Sequence, residues 1–175
     1  NFDEDLIIRD PWRVVVNNDY AWVSYSNDSR ATRSFDEYRL LTARLLIHEL
    51  AHANDFLPPR VWNSLSNSDL AWTYSSENSA DSTGLDNTFP LSSQEMYGLG
   101  NVMFQGATAT STQQAYTPAQ VSDFFFPDDA NNTYNYSTER EDYAMLAEEY
   151  LMSYRYNVSY DAAITGLAPD YIIAT

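Results

Sequence analysis

The sequence predicts an α+β fold, mainly helical, with a small N-terminal sheet lying beside the first long helix. Three observations carry that expectation. Two short β-branched and aromatic runs, Arg13-Val14-Val15-Val16 and Ala21-Trp22-Val23-Ser24-Tyr25, flank the turn-like Asn17-Asn18-Asp19. A long run of helix formers follows from Ser34 to about Asp55, and a second from about Glu139 to Tyr154. A length of 175 residues fits one ordinary domain, so residues 1–175 are read as a single unit.

Taken in order, Ser34 and Glu37 form a capping-box pair that starts the first helix. Leu41 and Leu45 are expected on its histidine-bearing side, with Leu46, Ile47, Leu50 and Ala51 around the remainder, so this helix should be central and buried. Pro58-Pro59 ends it. The middle, 63–117, has the weakest pattern. Ser75 to Asn87 is polar and turn-rich, and Gly106 to Gln114 is a low-complexity stretch. Between them, Ser92 and Glu95 can cap a helix running to about Phe104. Thr117-Pro118-Ala119-Gln120 is a further helix start that leads into Phe124-Phe125-Phe126, read as a core anchor. An Asp/Asn-rich loop precedes the last helix, whose apolar packing side is expected to include Tyr143, Leu146, Ala147 and Tyr150. No internal repeat is present.

Composition narrows the function. The net charge is −16, from 25 acidic and 9 basic residues, and every base is arginine. A phosphate-binding surface cannot be assembled from so few bases, which excludes nucleic acid as the expected ligand. The acidic field disfavours anionic membranes and favours cationic or neutral substrates, and it equally suits solubility in a saline milieu. Cysteine is absent, so disulfides, thiolate metal sites and cysteine nucleophiles are ruled out. No apolar run of membrane-spanning length occurs, and membrane insertion is not expected. The Tyr-, Asn- and Ser-rich composition resembles that of exported proteins, periplasmic, cell-surface or extracellular. The chain opens on Asn1, compatible with removal of an upstream segment or with its being part of a longer exported protein. Asn-x-Ser/Thr sequences, among them those at Asn131, Asn135 and Asn157, are read as coincidences of an Asn-rich chain. Oligomeric state is not legible.

The chemistry concentrates in one pentapeptide, His48-Glu49-Leu50-Ala51-His52, which holds both histidines of the chain. On a helix, positions i and i+4 lie one turn apart on one face, so the two imidazoles can converge on one ion. Glu49 projects about 100° away, where it can reach a water beside the metal instead of the metal itself. A catalytic zinc takes three protein ligands, and with no further histidine or cysteine the third must be a carboxylate or, less often, a tyrosine. Glu141 and Glu148 share one face of the last helix and are both candidates. Glu141 also stands three residues after Thr138, where a capping-box glutamate would.

The pentapeptide together with the downstream Glu141-Asp142-Tyr143-Ala144 resembles the zincin metallopeptidases of the gluzincin branch. The segment Tyr134 to Met145 is similar to the matching segment of the anthrax lethal factor protease domain and its relatives. The resemblance covers about a sixth of the chain. It implies a zincin-like domain and a Zn²⁺-dependent peptidase acting on peptide or protein substrates. His48, His52 and Glu141 would be the metal ligands, Glu49 the general base, and Tyr134 the donor to the transition state, with Tyr136 as the neighbouring alternative. Asp55 matches an acidic residue found at that position in the group. Relatives commonly carry another acid four residues after the ligand glutamate, where this chain has Met145. Carboxylates that hold a ligating imidazole from behind change metal affinity about 10–100-fold, so Asp55 or Glu148 is expected to substitute. In zincins a strand beside the helix often pairs with substrate, and Ala21 to Tyr25 is the candidate edge. A metal-binding but non-proteolytic hydrolase, or a degenerate zincin used as a binding or adhesion module, is the alternative reading.

Overall fold

In a computed structural model, the described residues are 7–11, 35–63, 65–66, 80–157 and 161–165. They form a helical assembly, and the expected small N-terminal sheet beside the first long helix is not shown. Residues 13–16 and 21–25, with the candidate substrate edge, lie outside the described residues, as does Ser34. The extended segments that are described, β1 (Ile7–Pro11) and β2 (Asp161–Thr165), pair only with each other, in parallel, Ile7 opposite Asp161. Two five-residue strands make no layer. β2 lies against the helix Pro118–Phe124. The α+β expectation fails because β-branched runs report a tolerance for extended backbone and say nothing about which partner supplies the ladder.

The architecture rests on two long helices, α1 (Phe35–Phe56) and α7 (Glu139–Tyr156), packed side by side. Between them run the short α2 (Pro59–Trp62), α3 (Asp81–Thr88), α4 (Gln94–Phe104), α5 (Ser111–Gln114), α6 (Pro118–Phe124) and a 3₁₀ turn at Thr133–Tyr136. α1 and α7 run antiparallel, as their contacts show in order. Leu40 packs with Met152, Arg44 pairs with Glu148, and His48 and His52 meet Glu141. A ridge spaced by four residues on α1 thus lies along the ridge 141, 145, 148, 152 on α7.

α1 is not buried all round. Leu45, Leu46 and Leu50 are 62%, 57% and 56% exposed, so burial is confined to the side that carries Leu40, His48, Ala51 and Asp55. On α7 the buried line is Ala144, Met145, Glu148 and Met152, and Tyr150 is exposed, contrary to the expected packing side. The periodicity of each helix admits several faces, and the neighbour decides which is covered.

The main apolar core lies elsewhere, among Met96, Leu99, Val102, Ala109, Val121 and Tyr136. Phe124 and Phe125 pack against it, whereas Phe126 is 94% exposed, so the aromatic triplet anchors through two of its three rings. α4 is capped by Ser93, one residue beyond the expected cap, and α6 keeps its Thr117/Gln120 capping box. The polar stretch read as turns contains α3. Gly100 has a specific use here. A Cβ on it would fall 2.6 Å from the Tyr136 carbonyl oxygen, so only glycine lets α4 touch the backbone of the 3₁₀ turn.

Candidate metal centre

α1 brings the two histidines to one face, and α7 meets them with Glu141 in its first turn. His48 Nε2 and Glu141 Oε2 are 3.1 Å apart, His52 Nε2 and Glu141 Oε2 3.2 Å, and the two Nε2 atoms 3.2 Å. The group His48, His52 and Glu141 can hold a metal ion. Its donor set is two imidazoles and one carboxylate oxygen. Zinc in tetrahedral coordination, with bonds of about 2.0–2.1 Å, requires neighbouring donors roughly 3.3 Å apart. The three observed edges have that length, so the residues fit one face of such a tetrahedron.

The electrostatics agree with a site built for a cation. The carboxylates of Glu141 and then Glu148 raise His48 to about 9, against the pull of burial. Burial alone would raise Glu141, but the hydrogen bond with His48, the charge of His52 and the Tyr134 hydroxyl together hold it below the usual carboxylate range. Glu141 is not a capping-box glutamate. Thr138 accepts from the Glu141 backbone N–H at 3.2 Å, while the Glu141 side chain faces the histidines.

Tyr134 joins the site. Its ring lies nearly parallel to that of His48, with centroids 6.3 Å apart, and Phe104 packs edge-on against it at 4.9 Å. Burial, then the charge and hydrogen bond of Glu141, then the charge of Glu49 push its hydroxyl up to about 12. Glu49 is exposed, and its charge acts on Tyr134. Tyr136 is excluded from the site. It is 2% exposed and its hydroxyl donates to Asp128 at 2.8 Å.

The structure places the remaining candidates differently. Asp55 does not serve His52. It accepts from the Ser82 backbone N–H at 2.6 Å and from Ser82 Oγ at 2.8 Å, tying the end of α1 to the start of α3. No side chain of its own caps α3, so this distant carboxylate satisfies one of its open N–H groups. Glu148 lies behind the site, with Oε2 3.2 Å from His48 Nδ1 and Oε1 accepting from Arg44 Nε. The pairing with Arg44 was not legible, since Arg44 carries no motif and its partner is 104 residues away.

The 3₁₀ turn that carries Tyr134 is held by asparagines. Asn132 accepts from the Tyr134 N–H at 2.8 Å, Asn135 donates to Asp142 at 2.7 Å, and Asn131 donates to Glu149 at 2.6 Å. Asn135 is 1% exposed, so its Asn-x-Ser sequence is structural and not a glycan acceptor in the folded chain. Among the described residues, no helix is long and apolar enough to cross a membrane. No protein-family model, curated protein or solved structure matches this chain.

Proposed function

We propose that this chain is a zinc-dependent peptidase of the gluzincin kind. The observation that carries the reading is the triangle of His48 Nε2, His52 Nε2 and Glu141 Oε2, whose edges of 3.1–3.2 Å suit a tetrahedral ion, with the Tyr134 ring stacked against His48. Two imidazoles and a carboxylate with an open fourth position are a donor set suited to catalytic zinc. His48, His52 and Glu141 would hold the ion, which would supply Lewis acidity toward a water and a peptide carbonyl. Glu49 takes the proton that this water loses as its oxygen adds to the carbonyl carbon. It then returns the proton to the nitrogen of the departing amine as the C–N bond breaks. Tyr134, a phenol protonated at neutral pH, donates to the oxygen that becomes negative. The resemblance to the lethal factor protease domain supports the same roles for the same positions.

The test combines metal analysis of protein prepared without chelator with cleavage profiling on a peptide library, in the presence and absence of chelator. One zinc per chain and chelator-sensitive cleavage are expected. Glu49→Gln should retain zinc and lose activity about 10²–10⁴-fold. Undiminished turnover by that variant overturns the mechanism, and a protein that neither contains nor binds zinc overturns the site.

A further inference from the structure

Glu148 is a buried carboxylate, its side chain 4% exposed, set between two partners on α1. One oxygen accepts from Arg44 Nε, and the other stands 3.2 Å from His48 Nδ1. His48 Nδ1 is itself buried and has no aligned hydrogen-bond partner, so Glu148 is the acceptor within reach of its proton. An ionised carboxylate is costly to bury alone, and Arg44 compensates it from the neighbouring turn of α1. The imidazole is thereby placed between two carboxylates with distinct duties, Glu141 at Nε2 and Glu148 at Nδ1. A ring whose Nδ1 carries the proton presents a free lone pair at Nε2, which is the form a metal requires. Met145, four residues after Glu141, is buried and apolar, and Glu148 stands one turn further along the same ridge of α7.

We propose that Glu148, held by Arg44, is the positioning carboxylate of His48, fixing its Nδ1–H tautomer and ring orientation so that Nε2 points at the metal. The role rests on the zinc site described under Proposed function. It also requires that Glu148 is not itself a ligand, since its carboxylate lies on the far side of the His48 ring from Glu141.

The experiment measures zinc affinity of the intact chain by competition with a chromophoric chelator, and the His48 ring ¹⁵N signals in the zinc-bound protein. Wild type should bind one zinc, with Nδ1 protonated and Nε2 metal-bound. Glu148→Gln should bind zinc about 10–100-fold more weakly. Because Glu148→Gln removes the charge that faces Arg44 Nε, the pair Arg44→Met/Glu148→Met removes both charges of this contact together. It should keep the helical circular dichroism of wild type while showing the same loss of affinity, and Glu148→Asp should recover part of it. Zinc affinity within two- to threefold of wild type in the paired variant overturns the positioning role and leaves the metal site standing. Complete loss of zinc on Glu148 substitution, with binding retained in Glu141→Ala, overturns it in favour of Glu148 as a ligand. Wild type that binds no zinc overturns the site and the positioning role together.

Discussion

Tyr134 and Tyr136 are two residues apart, yet one stacks against His48 of the candidate metal centre and the other lies in the core. A 3₁₀ turn advances about 120° per residue, so positions i and i+2 cannot share a direction. Tyr136 is directed to Asp128 and packs edge-on with Tyr97 and Phe125, leaving Tyr134 to stack beside His48. Tyr134→Phe is therefore expected to lower kcat about 10²–10³-fold with KM and zinc content little changed. Tyr136→Phe should instead lower the melting temperature and leave kcat per folded molecule intact. Steady-state kinetics on both variants check this, and the reverse pattern would exchange their roles. Residue identity made both tyrosines candidates. Only the direction of the turn separated them.

At the level of elements, the site depends on how α4, the 3₁₀ turn and α7 are tied. Asp128 gathers the start of α4 and the turn at once. It accepts from Ser92 N at 2.7 Å, Ser92 Oγ at 2.6 Å, Ser93 N at 3.0 Å and the Tyr136 hydroxyl at 2.8 Å. Burial would raise its pKa, but these donors outweigh burial and bring it below 3.8. A carboxyl with a folded pKa below its unfolded one contributes stability above the unfolded value, and loses it as pH falls through the folded value. Asp128→Asn should thus cost about 1–3 kcal/mol at neutral pH. The gap between wild type and variant should close as pH drops below 3.8, which denaturant titrations across pH would detect. A gap that stays constant with pH would show that Asp128 does not act through its charge. Asp142 moves oppositely, raised chiefly by burial and partly offset by Asn135, which is why the difference between the two proteins is the quantity to follow. The helix limits themselves were largely legible, from the Thr117 and Thr138 caps and the proline pair. The asparagine and aspartate links were not, because a polar side chain in a loop reveals nothing about which distant amide it will meet.

Across the whole molecule, the candidate metal centre joins α1 to a glutamate 93 residues downstream. A cation that binds this arrangement and not the unfolded chain stabilises the fold by mass action. At free zinc of 100 times Kd the gain is about 2.7 kcal/mol. For a chain of this size that corresponds to a rise in Tm of roughly 5–10 °C. Calorimetry with zinc and then with excess chelator should show the rise and its reversal, and His52→Ala should abolish both. An unchanged Tm in wild type would count against a centre formed in the native state. The acidity of the chain, −16 overall, adds self-repulsion that a bound cation relieves in part.

The sequence by itself determined the pairing of His48 with His52, since the helical repeat alone brings positions four apart to one face. It also determined the candidate set for the third donor, because no cysteine or further histidine exists. It misassigned the sheet, the burial of Leu45, Leu46 and Leu50, and the partner of Asp55. Tertiary structure alone decided that Glu141 meets the imidazoles while Glu148 stands behind one of them with Arg44. The two glutamates lie on one face of α7, and only the antiparallel seating of α7 on α1 sets their distances from each nitrogen of His48. Local periodicity fixes which side chains share a face, and packing between helices fixes what that face meets.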